Sequence, residues 1–141
     1  MSEIEPFVQR PEFRKLATVA VVVRDYDEAA AWYRKKLNFL LIDDRDLGDG
    51  KRWVVVAPSA RNGARILLAK ASGEQQAARI GDQTGGRVGF FLETDDFWRD
   101  YERMVARGVE FREAPRNEAY GIVAVFADLY GNLFDLIQPR G

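Results

Sequence analysis

RDYDEAAAWYRKKLNF, residues 24–39, opens on an acid at Asp25 and repeats apolar side chains at Ala29, Tyr33 and Leu37, directly after the β-branched run LATVAVVV (Leu16–Val23). Asp25 with Glu28 is an Asp-x-x-Glu start signal, and the spacing of four predicts a helix over Asp27–Leu37 behind a buried strand. The same grammar returns in TDDFWRDYERMVARG, residues 94–108, behind the strand-like RVGFFLE (Arg87–Glu93). Here a Thr/Asp start, apolar Phe97, Tyr101, Met104 and Val105, and Gly108 as a stop predict a helix over Asp96–Ala106. Laying one helix on the other sets Asp25 over Asp96, Tyr33 over Met104 and Leu37 over Gly108, an offset of 71 residues in a chain of 141. The chain reads as an internal duplication.

Working outward, strand patterns follow the first helix at Phe39–Arg45, Arg52–Ala57 and Ala64–Lys70, separated by the turn-formers LGDG and PSARNG. They follow the second at Val109–Arg112, Gly121–Ala127 and Leu133–Gln138. Each half is a βαβββ unit, residues 14–71 and 85–139, joined by a connector at 72–84 with a short helical turn around Glu74–Arg79. The expected fold is α+β: one domain over residues 1–141, eight strands, each sheet covered by its helix on one face, the other faces curling around a cleft. In LFDLIQ the side chains alternate, so Phe134 and Leu136 suit the helix layer and Asp135 looks into the cleft.

Composition excludes several functions. A net charge of −1 from 21 basic and 22 acidic residues gives no field for nucleic acid or an anionic membrane. No apolar run approaches the roughly 18 residues of a membrane span. The N-terminus, MSEIEPFVQRPEF, carries acids and prolines where a signal peptide needs a basic and then an apolar segment, so a cytoplasmic protein is expected. Cysteine and histidine are both absent, which removes thiol chemistry, the commonest metal ligand and the usual base near neutrality.

With VAVVVRDYDEAAAWYRKKLNF, GRVGFFLETDD and FADLYGNLFDL in this order, the sequence resembles the vicinal oxygen chelate superfamily, which includes glyoxalase I, the bleomycin-resistance proteins and the extradiol dioxygenases. The resemblance implies a cleft with a divalent metal held by His, Glu or Gln from strands one, four, five and eight. Carried over residue by residue, those positions are Thr18, seven before Asp25; Leu67, by matching Gly63 to Gly131; Arg87, in Gly-Arg-Val where the family has Gly-His-Val; and Asp135. Only Asp135 can ligate a cation, and one carboxylate does not hold a catalytic metal. No metal and no cofactor are expected. Instead Asp135 is expected to pair with Arg87, the guanidinium standing where the metal charge would be.

Further ligand-binding candidates are Arg52 and Trp53, neighbours on the third strand of which one should face the cleft, and Arg116 and Tyr120 in the loop before strand seven. Trp32 is a further candidate wall, Trp98 reads as surface or dimer contact, and Asp43, Asp44 and Asp46 read as a solvated cluster. The favoured function is metal-independent binding of a small molecule, of the sequestration or resistance type. The alternative is a lyase, isomerase or dioxygenase-type enzyme acting on a small carbonyl or aromatic substrate, with Asp135 as the base. A homodimer is expected from the resemblance and from the aromatic content.

Overall fold

The computed structural model describes residues 13–141, so the N-terminal segment through Glu12 lies outside the described residues. The first half forms β1 (Thr18–Val23), α1 (Tyr26–Leu37), β2 (Leu40–Gly48), β3 (Lys51–Ala57) and β4 (Arg65–Lys70). Then come α2 (Gly73–Ala77), β5 (Val88–Glu93), α3 (Phe97–Ala106), β6 (Glu110–Phe111), β7 (Arg116–Glu118), β8 (Gly121–Ala127) and β9 (Leu133–Pro139). The expected count of eight strands is corrected to nine among the described residues, because Arg116–Glu118, read as a loop, pairs antiparallel with Gly121–Val123.

The helix signals act as chemistry requires. The Asp25 carboxylate accepts the Glu28 N–H at 2.8 Å and the Asp96 carboxylate accepts that of Arg99 at 3.1 Å, each satisfying one of the unpaired N–H groups of the first turn. Asn38 ends α1 in the left-handed region. On α3, Phe97 and Met104 take the core, while Val105, expected there, is exposed.

The strands form two mixed sheets of the same order, β1-β4-β3-β2 and β5-β9-β8-β6, each with one parallel pair at the β1 or β5 edge. Val21, Val23, Val54, Val56, Ile66 and Leu68 of the first sheet and Ala124, Phe126, Phe134 and Leu136 of the second share one core with α1 and α3. Tyr33 stitches the halves together. Its ring, fully buried on α1, lies 6.1 Å from that of Phe134 on β9, and its hydroxyl donates to Asp128 at 2.6 Å. Burial and the nearby Asp128 charge raise the Tyr33 hydroxyl well above its ordinary pKa, so it stays a donor.

The connector is strapped down at two points. Gly81 lies against the Tyr130 carbonyl. The Gln83 carboxamide imitates a strand on the open edge of β1: Oε1 accepts the Val22 N–H at 2.9 Å and Nε2 donates to the Ala20 carbonyl at 2.7 Å.

Candidate functional site

The core claims one face of each sheet; the outer faces remain for a ligand. On the second sheet, strand pairing sets side chains in rows. Phe91, Asp135 and Val125 are lateral neighbours across β5, β9 and β8. Glu93, Ile137, Val123 and Arg116 form the next row. Phe134 and Leu136 point the other way and are buried, as alternation requires. On the first sheet, Ala20, Leu67, Val55 and Asp43 make the matching row. Leu67 and Asp135 therefore hold corresponding places in their sheets, and Thr18 sits at the start of β1 beside Arg65.

The expected Arg87–Asp135 pair is corrected. Among the described residues neither side chain forms a salt bridge. Arg87 is exposed and ends just before β5 begins. Asp135 pairs with Phe91, four residues further along, and a register shift lies between Val88 and Phe90. Gly89 sits in that irregularity with Thr84 pressed against it; a Cβ there would meet the Thr84 methyl at 2.7 Å. Because Thr18 pairs with Arg65 and Leu133 with Val88, the β5 counterpart of Thr18 is Val88, and Arg87 falls one residue outside.

Asp135 is left with one oxygen, Oδ1, shut off from solvent and without a hydrogen-bond partner. Burial pushes its carboxyl up from the ordinary value, opposed by the charge of Arg116 and reinforced by that of Glu113. Arg116 is the cation Asp135 senses, but its Nε donates to Glu113 and its Nη1 to Glu118, each at 2.8 Å. Tyr120, about half exposed, stands beside it. The segment holding Arg116 and Tyr120, read as a loop before strand seven, thus contributes a strand whose Arg faces the same side as Asp135.

Arg52 is also corrected. It shares the helix-side face of β3 with Val54, where its guanidinium bridges Asp27 and Asp44 at 3.0 and 2.8 Å and lies 5.2 Å from the centre of the Tyr26 ring. Trp53, its neighbour, takes the outer face beside Arg45. Trp32 packs against the core, edge-on to Tyr33. Trp98 is half exposed on α3. Of the acid cluster, Asp43 pairs with Arg45, Asp44 with Arg52, and Asp46 accepts the Gly48 N–H.

Sequence reasoning missed Phe91, Glu113 and Glu118. Phe91 was open to it, since it alternates with the core residue Phe90. The glutamates flank Arg116 at three residues before and two after, a local charge pattern that the sequence displays in EAPRNE.

Across residues 15–136 the chain matches the glyoxalase/bleomycin resistance protein/dioxygenase superfamily. It belongs to that superfamily. An uncharacterized protein of Shewanella frigidimarina is 53% identical over 126 residues, covering 89% of this chain and 93% of the relative. Among solved structures, UcmS2 superposes with a TM-score of 0.77 at 30% identity, covering 89% of this chain and 98% of that one. TnmS3, an antibiotic binding protein from Streptomyces sp. CB03234, gives 0.73 at 28% identity, covering 93% and 100%.

The divalent centre of other members of the glyoxalase/bleomycin resistance protein/dioxygenase superfamily does not fit these residues. Thr18, Leu67, Val88 and Asp135 offer a single carboxylate, and no group of three or more His, Cys, Asp or Glu side chains among the described residues is placed to hold an ion.

The raised Asp135 carboxyl gives a signed prediction. A carboxylate whose folded-state pKa lies above its unfolded value favours the folded state while protonated, and that contribution is lost as pH rises through the folded value. At neutral pH the charge therefore costs stability. Asp135→Asn should be at least as stable as wild type at neutral pH, its advantage shrinking toward about pH 4 and below. Thermal unfolding at both pH values checks this; a variant that loses stability at neutral pH more than in acid would restore a paired carboxylate.

Proposed function

We propose that the chain is a metal-independent small-molecule-binding protein of the sequestration type, which seats an aromatic ligand on the outer face of the second sheet and acts as a homodimer. One observation carries this reading: Phe91, 65% exposed, stands beside a carboxylate oxygen that is desolvated and has no partner. An exposed aromatic next to an unfilled acceptor is what a binding face offers before its ligand arrives. A structural residue in the same place would bury the ring and satisfy the oxygen. The likeness to TnmS3, an antibiotic binding protein, supports the same class of function. A dimer would give these outer faces a second wall.

Elemental analysis of untagged protein, with naphthol binding measured before and after chelation and sedimentation run on the same sample, tests this reading. Expected are a dimer without stoichiometric metal and naphthol binding that chelation leaves unchanged. A divalent metal present at one per chain, removed by chelator together with binding, would overturn it.

A further inference from the structure

The surroundings of Asp135 also define the sign of the group it can accept. Arg116, the basic residue that acts on it, is already committed to two carboxylates, Glu113 and Glu118. That neighbourhood, Asp135 included, holds three carboxylates against one guanidinium. An anion brought to this carboxylate would lose its hydration and meet three like charges against one guanidinium whose Nε and Nη1 are already given to Glu113 and Glu118. An N–H or O–H brought to the same carboxylate would supply a hydrogen bond that no described residue gives it, and a bond to an ionised acceptor is stronger than a neutral one. Phe91 and Asp135 are direct neighbours across the parallel β5–β9 pair, so a ring resting on Phe91 carries its substituent toward the half-buried Asp135 carboxylate.

We propose that this face selects aromatic ligands that present a hydrogen-bond donor, an amine or a phenolic hydroxyl, and rejects aromatic carboxylates, with Asp135 as the specificity-determining acceptor. The proposal rests on the reading above that the Asp135 face is the ligand site.

Four probes on one scaffold test it: naphthylmethylamine, naphthol, methoxynaphthalene and naphthoate, titrated against the full chain with the backbone amides of Phe91, Val125 and Asp135 followed by NMR. The amine and naphthol should shift these amides and bind about tenfold tighter than the methoxy compound or the carboxylate. In Asp135→Leu that preference should vanish. In Asp135→Asn, whose carboxamide oxygen still accepts, the amine should lose more than naphthol. Naphthoate binding as tightly as the amine, or a donor preference that survives in Asp135→Leu, would overturn the proposal while leaving the binding face in place. If none of the four compounds shifts these amides, the binding reading falls and the proposal with it.

Discussion

Asp128→Ala should lower the melting temperature by on the order of 10 °C or more, a loss of roughly 3 to 5 kcal/mol. Asp128 is 6% exposed and its carboxylate accepts four hydrogen bonds. Oδ2 takes the Tyr33 hydroxyl at 2.6 Å and the Asn132 side-chain amide at 2.8 Å; Oδ1 takes the backbone N–H groups of Tyr130 and Asn132, both at 2.9 Å. Removing it strands a buried phenol, a buried carboxamide and two peptide donors, and each buried orphan costs about 1 to 3 kcal/mol. Tyr33 reaches Asp128 from α1, so the loss falls on the joint between the halves as well as on the β8–β9 turn. Tyr33→Phe deletes one donor and leaves the carboxylate three partners, so it should cost only about 1 to 2 kcal/mol. In the Asp128→Ala background the same change should cost almost nothing, because its partner is already gone. Thermal unfolding of the two single variants and the double variant measures this coupling. An Asp128→Ala protein melting within a few degrees of wild type would show that the network contributes little.

That network illustrates which parts of the fold were legible before the structure. Helix starts at Asp25 and Asp96 are local chemistry, an acid placed to accept an N–H three residues on, and they lie where the sequence puts them. The face of Asp135 follows from alternation within one strand. The Arg87 pairing failed because it needed register between strands: Asp135 lies beside Phe91, four residues from Arg87, and nothing within either strand announces that register. Arg52 failed for a related reason. In KRWVVVA the residues from Trp53 to Ala57 are apolar on both faces, so the phase of alternation gives no way to choose between Arg52 and its neighbour. The structure resolves it through Asp27, Asp44 and the Tyr26 ring, which supply the partners a guanidinium needs. Arg116–Glu118 looked like a loop because three polar residues carry no period. Its pairing to β8 then places a cation near Asp135 that no spacing rule would have chosen.

Gly81→Ala should be costly in a way that Gly85→Ala is not, and the contrast isolates a single contact. Both glycines hold positive φ, +77° and +69°, where a side chain costs about 1 to 2 kcal/mol. A Cβ on Gly85 would meet nothing within 4 Å, so that variant carries only the conformational cost. A Cβ on Gly81 would collide with the carbonyl oxygen of Tyr130 and lie 2.8 Å from its carbonyl carbon. Backbone cannot rotate aside as a flexible side chain can, so either the connector lifts or the Tyr130–Gly131 turn shifts. The turn is held by the Asp128 network and by the Tyr130 hydroxyl, which donates to Glu28 at 2.8 Å and which burial, with that hydrogen bond, pushes up to about 12. The connector has weaker anchors, chiefly the Gln83 carboxamide on β1, and should give way first. Gly81→Ala should therefore lose roughly 2 to 4 kcal/mol, visibly more than Gly85→Ala. Amide exchange at Val22, whose N–H donates to Gln83, should accelerate in the same variant while core amides of β3 and β8 change only with global stability. Equal stability of the two alanine variants, with Val22 exchange unchanged, would mean that the connector is not clamped at Gly81.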